Sequence, residues 1–235
     1  MLSIRNLSLI IAVFLSSPNL LSQQKTCISV SQETQSLSLG AKSIFRCDIY
    51  YNIEKNEIVT HHTYPAEFIK ISNKLGETKI YFPAKNTVSV QQDNSLSSTN
   101  ELLYYFLNNR VTDLGLQKEG FRMTGTTRED DLVVTLWEAP VPNKALRDVK
   151  VVFKDMLPIY AEYRGMDNTI RKKIYYSGYR DFTYFSLPMR ITEISFESRK
   201  DSTIRRSVFS NIRFYDSADS GYFNYKIPEN ARLVK

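Results

Sequence analysis

The chain has 235 residues, of which 42% are hydrophobic and 24% charged, and its aromatic residues include 15 Tyr and 13 Phe. This composition excludes a disordered or low-complexity chain, fits a single domain, and favours strands over helices. The net charge of +6 falls to +5 once Arg5 is removed with the leader described next. Its clusters, Arg171-Lys172-Lys173 and Arg205-Arg206, read as solvated strand faces.

The first stretch, "MLSIRNLSLIIAVFLSSPNLLSQQ", places Arg5 before an apolar run from Leu7 to Leu15. A membrane-spanning helix needs about 20 apolar residues, so residues 1–22 read as a secretory signal peptide cut after Ser22. Export excludes nucleic acid as a partner. It also makes the two cysteines, Cys27 and Cys47, candidates for a disulfide. Closing that loop contributes roughly 3 kcal/mol in the chain-entropy model. The alternative is two unpaired thiols, one of them buried on a strand.

Beyond the Ser-rich segment 23–42, alternation with a period of two takes over. In "SIFRCDIYYNIE", Phe45, Cys47, Ile49, Tyr51 and Ile53 share one face, and Arg46, Asp48, Asn52 and Glu54 share the other. That is a half-buried strand. Four hairpins follow through "EKNE", Pro65, "KLGE" and "PAKN", an antiparallel meander. "SSTNELLYYFLNN" then pairs Ser98 with Glu101 as a capping box and predicts a helix over 99–108. Alternating segments resume from "EGFRMTGTT" and end on "GYFNYKI", where Phe223, Tyr225 and Ile227 share one face before Pro228 stops the ladder. The total is about 11–13 strands with one clear helix.

Catalytic motifs are absent from the sequence. His61 and His62 are adjacent, and on a strand they point to opposite faces, so they cannot chelate one metal together. The acidic run Arg128-Glu129-Asp130-Asp131 falls between two strands, where turn charges belong. No Gly-rich phosphate loop and no Gly-x-Ser-x-Gly elbow occurs. No catalytic residue, metal or cofactor is therefore expected, and a hydrolase is the least supported reading. So large a sheet has too little helix to cover its apolar face. That face either fills its own core, as a β-sandwich interaction module would, or encloses an apolar ligand.

Three stretches resemble the periplasmic lipoprotein carrier LolA and the LolA/LolB-like family. They are "YPAEFIKISNKLGETKIYFPAKNTVSV", "NELLYYFLNN" with "GFRMTGTTREDDLVVTLWEAP", and the closing "FNYKIPENARLV". The resemblance implies an all-β, mainly antiparallel fold over residues 43–235: a half-open curved barrel whose mouth is covered by one or two helices. It implies an apolar cavity for the acyl chains of a lipid or lipoprotein, without cofactor or catalysis. It also implies a monomer in the periplasm between an inner-membrane donor and an outer-membrane acceptor. The expected lipid-binding rows are Phe45, Ile49, Tyr51 and Ile53 on the first strand and Phe223, Tyr225 and Ile227 on the last, all facing inward. Residues 23–42 take the place of the family's lid, although they are poorly amphipathic. Near the first hairpin only Lys55 stands close to where the carriers hold an arginine.

Overall fold

A computed structural model describes residues 26–141, 145–196, 201–218 and 221–234. The expected signal peptide lies outside the described residues. The strands are β1 (Cys27–Ser38), β2 (Ala41–Asn52), β3 (Glu57–Tyr64), β4 (Phe68–Ser72), β5 (Glu77–Phe82) and β6 (Thr87–Gln92). One short helix follows, α1 (Leu102–Leu107). After it come β7 (Arg122–Glu129), β8 (Leu132–Glu138), β9 (Leu146–Lys154), β10 (Leu157–Gly165), β11 (Ile170–Asp181), β12 (Ser186–Phe196), β13 (Ser202–Tyr215) and β14 (Arg232–Val234).

All belong to one curved 14-stranded sheet in the order β14-β6-β5-β4-β3-β2-β1-β13-β12-β11-β10-β9-β8-β7. Two antiparallel meanders, β1–β6 and β7–β13, are joined where β1 lies between β2 and β13. β7 and β14 end the order without pairing with each other, so the barrel stays half open.

The hairpins fall where the sequence predicts them. Asn56 closes the β2–β3 turn at φ 49, a left-handed conformation that asparagine tolerates. Gly76, at φ +81 between β4 and β5, lies so close to the Asp93 carbonyl that a Cβ would collide with it.

Three expectations about the ends of the fold are corrected. Residues 27–38 are no lid: they form β1 in the middle of the sheet. "GYFNYKI" is no strand: Gly221–Asn224 is a single 3₁₀ turn, and the chain then crosses the sheet to reach β14, which pairs parallel with β6. The helix is shorter than 99–108 and lacks the capping box. Ser98 donates its hydroxyl to the Asn56 carbonyl, and Ser97 accepts from the Thr99 amide instead. Glu101, the residue before α1, makes no side-chain cap.

α1 lies on the concave side of the sheet. Five of its six residues are buried, and Phe106 is fully enclosed, its ring 5.7 Å from that of Tyr176 and 6.3 Å from that of Tyr179. This helix plugs the concave face over β8–β12, where Trp137, Val149, Val151 and Ala161 form the floor. Each fully buried aliphatic or aromatic side chain there contributes about 1.5–3 kcal/mol.

Candidate functional site

Cross-strand partners share a face of a sheet, so the register sorts every residue to one side. Ile49 pairs with Val30 on β1 and with Thr60 on β3; Thr60 pairs with Lys70 on β4. These face the concave side with Phe45, Cys47 and Tyr51. Tyr50, Asp48 and Val59 face the convex side.

Beside the start of α1 the concave face is open. A groove of about 520 Å³ runs there, within the range of small-molecule pockets. Phe45, Ile49, Ile58, Leu102, Leu103, Ile191 and Phe209 supply apolar surface. Gln32, Thr34, Thr60, His62, Lys70, Glu101, Glu193, Arg205 and Ser207 supply polar groups. Lys70 and Glu101 form a 2.8 Å ion pair at one side. Gln32 donates to the Thr34 and Ser207 hydroxyls at 2.9 and 3.3 Å across β1 and β13.

The seven residues expected to hold lipid divide three ways. Phe45 and Ile49 line the groove. Tyr51 is buried deeper, its hydroxyl donating to Asn56 and accepting from Asn108 near the end of α1. Ile53 packs at the edge of the same core. Phe223, Tyr225 and Ile227 lie on the opposite, convex face, which corrects their expected inward facing. Phe223 meets the edge of Tyr50 at 5.3 Å, and Tyr225 and Ile227 pack against Val59, Ile69 and Tyr81. Tyr222, between Tyr50 at 4.9 Å and His61 at 4.6 Å, completes this strap.

The cysteines are also separated. Cys27 sits opposite Asn52 and Cys47 opposite Gln32, five residues further along the β1–β2 pair. At about 3.3 Å per residue this is beyond the reach of a disulfide, and none joins them.

Cys47 and His62 face each other across β2 and β3 in the groove. Burial keeps both uncharged: it pushes the Cys47 thiol up to about 12 and, with Lys70 beside it, pushes the His62 imidazole down. Neutral thiol and neutral imidazole suit a binding surface better than a thiolate nucleophile. His61, on the other face, pairs with Glu67 at 2.9 Å. No cluster of three or more metal-ligating side chains occurs among the described residues.

No family model and no curated protein matches the chain by sequence. Solved structures share its fold. A putative outer membrane lipoprotein-sorting protein domain from Vibrio parahaemolyticus superposes with a TM-score of 0.58 at 11% identity, over 86% of this chain and 92% of that one. A LolA superfamily protein from Nitrosomonas europaea gives 0.53 at 10% identity, over 80% and 86%. The fold is LolA-like. A DUF1329 family protein from Desulfovibrio piger shares it, with a TM-score of 0.54 at 12% identity over 81% and 86% of the two chains. Within this LolA-like frame the groove opens on the concave face of the half-barrel, beside the helix that plugs the rest of it.

The groove residues missed in the sequence are Gln32 and Thr34 on β1, Ile58, Thr60 and His62 on β3, Lys70 on β4, Glu101, Leu102 and Leu103 at the start of the helix, and Ile191, Glu193, Arg205, Ser207 and Phe209 on β12 and β13. The signal for β3 was present: once Ile49 is placed inward, the hairpin register places Thr60 and His62 inward as well. β12 and β13 reach the groove only through the β1–β13 pairing, which joins residues about 180 positions apart in the chain.

Proposed function

We propose that this protein is a carrier of lipid, binding an acyl chain of a lipid or lipoprotein in the concave groove. It works in the periplasm as an exported monomer, receiving cargo from an inner-membrane donor and releasing it to an outer-membrane acceptor. The cargo is transferred, not chemically changed. The observation that carries this reading is the apolar part of the groove, left open beside α1 in a fold shared with a lipoprotein-sorting domain. Burying an acyl chain contributes about 0.8 kcal/mol per methylene, so about ten methylenes supply about 8 kcal/mol before association costs.

The reading of a self-filled core has support over β8–β12, where α1 occupies the concave face. Native mass spectrometry of protein from its own cell envelope separates the two. A co-purifying lipid mass, lost when the groove is filled by Thr60→Trp, is expected of a carrier. Protein that emerges without lipid, and takes none up from vesicles, would sink the proposal.

A further inference from the structure

The concave residues of β1, β3, β12 and β13 change character in the same direction, from α1 towards the β1–β2 hairpin tip, whereas β2 stays apolar through Ile49, Cys47 and Phe45. On β1, Val30 gives way to Gln32, Thr34 and Ser36; on the paired β13, Phe209 gives way to Ser207 and Arg205. On β12, Ile191 gives way to Glu193, and on β3, Ile58 gives way to Thr60 and His62. The groove is therefore apolar at its deep end and polar along its rim on these four strands, where Phe45 of β2, opposite Thr34, adds an apolar residue.

The charges at that rim are not balanced. Glu101 is held by Lys70 at 2.8 Å. Glu193 lies 3.9 Å from the Lys172 ammonium and accepts from the Ser195 hydroxyl at 3.4 Å. Arg205, opposite Glu193 on one side and Ser36 on the other, is exposed, and no carboxylate lies within 4.0 Å of its guanidinium among the described residues. Its neighbour Arg206 pairs with Gln35 and Thr192 and so faces the convex side. One guanidinium, flanked by the Ser36 and Ser207 hydroxyls, thus stands at the polar end of an apolar slot. A guanidinium recognises an oxyacid anion by paired, charge-assisted hydrogen bonds.

We infer that the groove takes one amphiphile lengthwise, its tail against Ile49, Ile58 and Phe209 and an anionic oxyacid headgroup, carboxylate or phosphate, on Arg205. This rests on the carrier reading above and narrows the cargo to acidic amphiphiles. A bare hydrocarbon or an esterified chain would fill the deep end and leave the Arg205 rim to water.

The test is competition against a fluorescent fatty acid by oleate, methyl oleate, lysophosphatidylglycerol and inorganic phosphate. Wild-type protein is expected to bind both acidic amphiphiles about tenfold more tightly than the methyl ester. Arg205→Gln should bring the acids down to the affinity of the ester while leaving the ester unchanged. Arg206→Gln, which removes the same charge from the other face, should keep the preference. A wild-type preference near one would overturn the headgroup assignment and leave the carrier reading standing, as would a preference that survives Arg205→Gln or disappears equally in Arg206→Gln. Displacement by inorganic phosphate alone would mark a site for free anion and overturn the lengthwise placement. Failure of every amphiphile to bind would overturn the carrier reading and this inference with it.

Discussion

Lys70 on β4 and Glu101, the residue just before α1, meet at 2.8 Å beside the groove. The pair ties the mouth-side end of the plug helix to the sheet, whereas its other end is held by Asn108, which donates to Tyr51 and to the Tyr104 carbonyl. Both partners are partly exposed, so the pair contributes no more than about 1 kcal/mol. Glu101→Ala should therefore leave global stability nearly unchanged but let the start of α1 open more often. Hydrogen exchange at the amides of residues 102–107 is the measurement, and acceleration confined to that segment is expected. Unaltered exchange would show that the buried side chains of α1 hold it alone.

The strap on the convex face is structural. Phe223 is only 4% exposed between Tyr50 and Tyr215, and truncating a buried phenylalanine costs about 3–5 kcal/mol. Phe223→Ala should lower the unfolding free energy by that amount, read from a fall in the denaturant midpoint at unchanged slope. Tyr225→Asp should leave binding of a fluorescent fatty acid intact, since its ring lies across the sheet from the groove. Loss of binding in a folded Tyr225→Asp protein would contradict the facing of the strap.

Tyr51 lies beneath the plug and outside the groove. Removing its hydroxyl in Tyr51→Phe leaves Asn56 and Asn108 without this partner, a cost of about 1–2 kcal/mol. Ligand affinity should not change. A variant of normal stability and impaired binding would place Tyr51 in the cavity after all.

Alkaline pH should destabilise the fold. Burial pushes both the Cys47 thiol and the Tyr163 phenol up to about 12, while in the unfolded chain they ionise near about 8.5 and about 10. Between those values and 12 the unfolded state binds fewer protons, so stability falls as pH rises and is fully present below about 8.5. Denaturation series at pH 7.5 and pH 10.5 should show the loss. Cys47→Ala and Tyr163→Phe, each compared with itself at the two pH values, should show less of it. Equal losses in wild type and in both variants would place the effect elsewhere.

The meanders were legible because each strand carries apolar residues on one face and polar residues on the other, with Asn, Gly and Pro at the turns. β1 was not legible for the same physical reason. Past Val30 it runs through Gln32, Thr34 and Ser36 at the polar rim of the groove, so its two faces carry no hydrophobic contrast. The alternation of Phe223, Tyr225 and Ile227 is real, but it matches the aromatic and aliphatic row of Tyr50, Val59, Ile69 and Tyr81 on the convex face and no ladder partner. Only the β2 wall of the site was likewise visible. Phe45 and Ile49 follow from parity on β2, whereas Phe209 and Arg205 enter through the long-range β1–β13 pairing that no local pattern encodes.

The most direct measurement is photocrosslinking with a fatty acid that carries a diazirine in its tail, followed by peptide mapping of the adducts. Label on Ile49, Ile58, Leu102, Leu103 or Phe209, abolished by Thr60→Trp, is the result expected of a carrier that holds its cargo in the concave groove. Label on Tyr222, Tyr225 or Ile227, or label that Thr60→Trp leaves in place, would contradict it.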